Sequence, residues 1–292
     1  MEGIHIDRLK EPLFWEKAWS VDREKSLFRR GKKTLKDKVN YWNKRANNFQ
    51  KHVMGKRGNR RVNRVLDWLE RQGLELTGKK VLDIGAGPGA FALAMAQRCQ
   101  KVVALEPAEG MARFIQSEIV AGGFNNVKVI QNTWEDVDLE KEGFSGNFDL
   151  VFASMSPGIN NLETIQKALD CTKEYFYYSS FAGLRESNIL MKLWLLLYGE
   201  TLPAWPDQVL FVLNILYTLG LQVNVEVWEE CRREELSMTE AVDSITDQLH
   251  SYNKEFPNSE VKLREFVQTN MENGVLLQQN RTRLGQILAK KV

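Results

Sequence analysis

The chain has 292 residues, 43% of them hydrophobic and 27% charged, with a net charge of +2, the composition of a globular protein long enough to bury a sizeable core. Its longest apolar stretches, 189–198 and 209–219, fall short of the roughly 18 residues a membrane span needs, and no basic start with an apolar core opens the chain, so a cytoplasmic protein with no membrane partner is expected. Cys99, Cys171 and Cys231, like His5, His52 and His250, stand without paired spacing, which predicts neither disulfides nor a protein-bound metal.

The first 78 residues read as a helical extension. Helices are predicted at 12–19 with Trp15 and Trp19 four apart, at 36–52 with Tyr41, Trp42, Ala46 and Phe49, and at 63–72, where Val65, Leu66, Trp68 and Leu69 share a face and Gly73 stops the run. This region is basic: residues 1–80 hold 22 Lys and Arg against 10 Asp and Glu, while the rest holds 18 against 28. Local runs at 29–33 and 56–61 read as a solvated helical surface, with phosphate contact as the competing reading.

From Lys80 the period changes. Strands are predicted at 80–84, 101–105, 127–131, 148–153 and 175–180, with helices at 90–98, 110–121 and 162–170 between them, the alternation of a parallel sheet covered on both faces. Two apolar helices follow at 188–198 and 207–219, placed either over a sheet face or as the wall of a substrate pocket. A sixth strand is predicted at 222–228, then a helix opened by the Ser237-Met238-Thr239-Glu240 capping box and another at 261–271. Short segments at 275–278 and 284–289 are expected to pair as strands at the sheet edge. The resulting organisation is a helical extension or lid over 1–78, a core over 79–182, and a completion of the sheet over 183–292 with apolar helices and a helical insertion.

The chemistry is concentrated in Val81-Leu82-Asp83-Ile84-Gly85-Ala86-Gly87-Pro88-Gly89. Three glycines at alternate positions after a strand let backbone approach a ligand without Cβ interference. Nicotinamide, flavin and nucleotide enzymes use comparable turns, so the glycines alone indicate only a nucleotide-like ligand. Asp83 narrows the choice: an anion beside the loop disfavours a pyrophosphate and favours a cationic group. Glu106, 23 positions further on at the end of the next strand, is placed to accept both hydroxyls of a ribose. Together they point to a phosphate-free cationic adenosine cofactor, S-adenosylmethionine.

With these residues the sequence resembles the class I S-adenosylmethionine-dependent methyltransferases over about 79–180, most specifically at 81–89 and 103–107. The resemblance implies a doubly wound α/β, Rossmann-like, mostly parallel seven-stranded sheet, here with a helical N-terminal extension and a helical insertion before the last strand. Carried over, Asp83, Gly85, Ala86, Gly87 and Gly89 line the methionine and ribose part, Glu106 holds the ribose, and Pro107 and Met111 flank the adenine. Thr133, Trp134 and Glu135 stand where the family meets the adenine amino group with an acidic residue followed by a small one, a departure from that pattern. Ser154, in the run Ala153-Ser154-Met155-Ser156-Pro157, falls where the family faces cofactor and acceptor. Tyr41 and Arg45 lie on a helix similar to the one that closes over the cofactor, and would reach its carboxylate or the acceptor.

No Asn-Pro-Pro-Tyr or Asp-Pro-Pro-Tyr run follows the fourth strand, which argues against methylation of a base amino group. The expected function is methyl transfer to a small-molecule acceptor, in a pocket walled by the N-terminal helices and by Trp194, Tyr198 and Trp205. The alternative is an RNA or protein methyltransferase docking through the basic residues 1–80. His52, Tyr41, Tyr177, Tyr178 and Glu135 suit a general base by type, and none is assigned as catalytic.

Overall fold

The computed structural model describes residues 6–25, 34–249, 252 and 259–292. A short 3-10 turn, Ile6–Lys10, leads into α1 (Pro12–Lys25), α2 (Leu35–Val53) and α3 (Lys56–Arg71). The core then runs β1 (Lys80–Ile84), α4 (Ala90–Ala96), β2 (Lys101–Leu105), α5 (Glu109–Gly122), β3 (Val127–Ile130), α6 (Leu139–Glu142), β4 (Phe148–Ser154), α7 (Leu162–Cys171) and β5 (Thr172–Ser187). It closes with α8 (Asn188–Tyr198), α9 (Gln208–Thr218), β6 (Gln222–Leu236), α10 (Met238–Leu249), α11 (Ser259–Asn270) and β7 (Leu276–Lys290).

The seven strands form one sheet in the order β3-β2-β1-β4-β5-β7-β6. β1 to β5 are mutually parallel and β7 runs antiparallel to both its neighbours. The order reverses between β1 and β4, and in such sheets the crevice beyond the strand C-termini at the reversal is where ligands bind. The mostly parallel seven-stranded sheet with its N-terminal helices and an insertion before the last strand agrees with expectation.

β1, β2 and β4 are buried on both faces, which is why their sequences are continuous apolar runs rather than alternating ones. One face is covered by α3 and α4, with Val65, Trp68, Leu69 and Met95 packed on Val81, Ala104 and Phe152. The other is covered by α1, α7 and α9, where Trp19 stacks on Phe211 at 6.5 Å between ring centroids. Of the two apolar helices, α9 therefore covers the sheet. α8 instead joins α10 and α11 in a separate cluster around Trp194, Ile245 and Leu276.

The expected pair of edge strands at 275–278 and 284–289 is one continuous strand, and it lies inside the sheet. β7 pairs with β5 on one side and with all of β6 on the other. The polar stretch between the two segments, Gln279 to Arg283, continues the strand: 280–282 pair with β5 and 279–283 with β6. There Arg281 and Arg283 bond Glu229 across the ladder, cross-strand pairing that a polar ribbon needs in place of a core.

Candidate active site

At the C-terminal ends of β1, β2 and β4 a cleft opens beneath α2. Its floor is the loop after β1, which the backbone builds in a left-handed conformation at Gly85 (φ 72°), Gly87 (57°) and Gly89 (87°). A Cβ on Gly85 would stand 2.4 Å from Ser156 Oγ, so this position needs glycine for space as well as for φ. Gly89 serves a different purpose. It caps α4, and a Cβ there would meet Ile115 at 2.9 Å; it seats α4 against α5 and is absent from the cleft wall.

The loop spends its own donors. Gly85 and Ala86 N–H both bond the Leu105 carbonyl, Gly87 N–H bonds Glu106 Oε2 at 2.8 Å, and Gly89 N–H bonds the Ala86 carbonyl. A phosphate-binding loop keeps such groups free for its anion; this one offers none of these four.

Two carboxylates dominate the charge. Asp83 is 2% exposed and its Oδ2 has no hydrogen-bond partner. Burial, with the Glu106 charge adding to it, pushes the Asp83 carboxyl up to about 8. Glu106 is 5% exposed and accepts N–H bonds from Gly87 and Ala108. Burial pushes it up to about 7 against the pull of those two donors. A buried pair of acids raised this far holds protons in the ligand-free protein and ionises more readily when a cation pairs with it.

Gly85, Ala86, Gly87, Asp83, Glu106, Pro107, Met111, Thr133, Trp134, Glu135 and Ser154 all line this cleft. Met111 also packs with Ala46 and Trp42 of α2. The Trp134 ring is buried in the core and its Nε1 donates to the Thr164 carbonyl. Tyr41 and Arg45 are not brought to the wall. Arg45 donates to the Tyr41 hydroxyl and pairs with Asp247 of α10 at 2.6 Å, so this side of α2 ties the helix to the insertion. Trp194, Tyr198 and Trp205 likewise lie outside it: Trp194 packs on Tyr198 and Tyr252, and Trp205 on Phe181. Of the residues suited to act as a base, Tyr177 bonds Gln286 and burial pushes its hydroxyl up to about 12, while Tyr178 bonds Gln208. Glu135 accepts from Asn160. The His52 side chain lies outside the described residues.

The roof of the cleft is α2, as its likeness to a closing helix implied, but it is formed by Leu35, Val39, Trp42, Phe49 and Val53 and not by Tyr41 and Arg45. Two further features of the cleft were not anticipated. Met155, just beyond β4, holds a left-handed backbone (φ 56°) that costs a non-glycine residue about 1–3 kcal/mol and clusters at functional sites. Arg61 of α3 enters the cleft from the side, donates to Ser154 Oγ at 2.7 Å and lies over the Phe91 ring. Helical spacing could have found it: Arg61 sits one turn before Val65, on the buried stripe of α3 and not on its solvent face.

A sheet of this order, with a glycine loop and two strand-end acids at its reversal, defines the class I S-adenosylmethionine-dependent methyltransferase fold. Residues 81–174 match a family model described as a methyltransferase domain. A protein of Haemophilus influenzae, described as uncharacterized, is 27% identical over 191 residues, 64% of this chain and 66% of its own length. The chain thus spans just under two thirds of that relative. Among solved structures, the YcgJ protein of Bacillus subtilis is 15% identical with a TM-score of 0.49, covering 74% of this chain and 92% of its own. A methyltransferase-like structure from Bacillus halodurans is 17% identical at the same TM-score, covering 77% and 98%. Among the described residues no helix is long and apolar enough to cross a membrane.

Proposed function

We propose that the cleft binds S-adenosylmethionine and that the protein transfers its methyl group to a small-molecule acceptor. The observation that carries the cofactor assignment is Asp83: a buried carboxylate with an unmet oxygen, beside a loop whose N–H groups at 85, 86, 87 and 89 are already bonded. Such a site repels a phosphate and welcomes a positively charged amine. Glu106 keeps lone pairs on both oxygens after its two backbone bonds, enough for a ribose diol. Pro107 and Met111 supply the apolar contact an adenine needs.

The cofactor, when bound, supplies a methyl group already activated on a sulfonium. The chain's own contribution is orientation and exclusion of water. α2 does the second: Trp42 and Phe49 close the cleft above the loop, and Asn43 Oδ1 accepts from Gly110 N–H to fix the helix against α5. A small acceptor is favoured because the roof is apolar and enclosing, whereas an RNA or protein chain needs an open approach.

Calorimetric titration with S-adenosylhomocysteine tests the cofactor assignment. Binding is expected in the wild type, and Asp83→Asn, which keeps the shape and removes the charge, should weaken it by about 10- to 100-fold, the value of a charge-assisted bond. Equal affinity in the two proteins refutes the role given to Asp83.

A further inference from the structure

Cross-strand register carries one face of the sheet outward from the cleft. Ser179, Gln286 and Glu226 stand in one row, Phe181, Leu284 and Trp228 in the next, and Arg185, Thr282 and Glu230 in a third. Residues directly opposite one another share a face. The first row touches the cleft, since Ser179 Oγ lies 3.0 Å from the Oγ of the lining residue Ser154. α3 reaches the first two rows, where Arg64 bonds Glu226 and lies over the Trp228 ring. α10 reaches the ribbon two rows beyond the third, where Ser244 bonds Gln278. The third row lies between these helices, with Arg185 and Thr282 half-buried and Glu230 exposed.

Arg185 is the uncompensated charge in that interval. Its guanidinium carbon stands 4.4 Å from the Trp205 ring centroid and 5.2 Å from that of Phe181, and Trp205 is itself held by a hydrogen bond with Tyr252. Aromatic rings offset part of a cation's charge but offer no oxygen to its five N–H donors. Among the described residues the guanidinium has no hydrogen bond and no ion pair. Burial holds it below its usual value, and the side chains that act on its charge are Tyr252, Tyr41 of α2 and a like charge, Arg232, with no carboxylate among them. A planar fork pairs a carboxylate through two parallel bonds, and one unpaired positive charge matches a carboxylate better than a doubly charged phosphate. Resting on the methyl-transfer reading above, we infer that Arg185 binds a carboxylate of the methyl acceptor, in a recess that runs from the cleft along this sheet face between α3 and α10. The rest of the acceptor then extends over Phe181 towards Ser154 and the cleft.

The test starts with the full wild-type chain, benzoate as the probe and benzamide as its neutral control. Calorimetry gives the benzoate Kd, and modification by phenylglyoxal, an arginine reagent of similar size, is then mapped to individual residues by peptide mass spectrometry. At about ten times its Kd, benzoate should slow modification of Arg185 about tenfold by occupancy, and benzamide should leave it unchanged. The protection should persist with S-adenosylhomocysteine bound. Arg185→Met should weaken benzoate binding by about 10- to 100-fold and Arg185→Lys by less, both with unchanged affinity for S-adenosylhomocysteine. The inference is overturned if benzoate does not bind, if it binds and leaves Arg185 modified at the same rate, or if Arg185 resists phenylglyoxal altogether, since a closed position admits no acceptor. None of these results needs a variant to fold. It is also overturned if S-adenosylhomocysteine alone protects Arg185 and benzoate adds nothing, which gives the residue to the cofactor, or if phenyl phosphate protects at lower concentration than benzoate, which gives it to a phosphate. Should S-adenosylhomocysteine fail to bind wild type, the methyl-transfer reading fails, and benzoate protection in the ligand-free chain still decides whether Arg185 is a carboxylate site.

Discussion

At the scale of single residues, the site is a set of groups kept in states that folding alone would not favour. Asp83 is the clearest case, a carboxyl at 2% exposure held up to about 8 chiefly by burial. The same substitution that should weaken cofactor binding, Asp83→Asn, should therefore raise the stability of the ligand-free protein at pH 8, because it removes a buried charge and leaves the packing intact. Differential scanning calorimetry of the two proteins at that pH checks it; a lower Tm for the variant contradicts the account. Asp83, Glu106 and the glycines were legible in the sequence because strand, turn and acid are neighbours along the chain. Arg61 shows in the sequence only as a member of the buried stripe of α3, and its bond to Ser154 depends on how that helix packs on the sheet.

At the scale of elements, α2 decides access to the site. Trp42 is half-buried and roofs the cleft while packing on Ala46, Ala108 and Met111. Trp42→Ala should weaken S-adenosylhomocysteine binding about tenfold, the equivalent of part of an aromatic side chain's burial, with helix content nearly unchanged by circular dichroism. An unaltered Kd would mean that α2 is not the roof of the occupied site. The tie on the other side of α2 should matter less. Arg45 and Asp247 form an exposed pair at 33% and 67% side-chain exposure, so Asp247→Ala is expected to shift stability by less than about 1 kcal/mol, measured by urea denaturation. The helix itself was readable from its period. Its rotation was not: Tyr41 and Arg45 share it with Trp42 and Phe49, and only packing on α5 settles which face looks down.

At the scale of the whole molecule, the two buried acids set how stability follows pH. The folded values of Asp83, about 8, and Glu106, about 7, lie above their ordinary 3.8 and 4.5. The folded state therefore holds protons that the unfolded chain releases. Their contribution to stability is complete below about pH 4 and is lost as pH rises towards 8. The Tm of the ligand-free protein should carry this downward component between pH 5 and 8, and Asp83→Asn should make it shallower. Cation binding favours the ionised acid, so affinity for S-adenosylhomocysteine should rise between pH 6 and 8, by up to about tenfold per unit. Calorimetry across that range shows the trend, and a flat profile contradicts it. The alternation of strands and helices and the acid–glycine–acid loop follow from local pattern, because periodicity and turn chemistry act between neighbours. That β7 is one inner strand, that α8 belongs to a separate cluster and not to the cleft, and that Arg61 faces inward onto Ser154 came from packing alone. Each of those depends on contacts between residues far apart in the chain, where burial and pairing override local pattern.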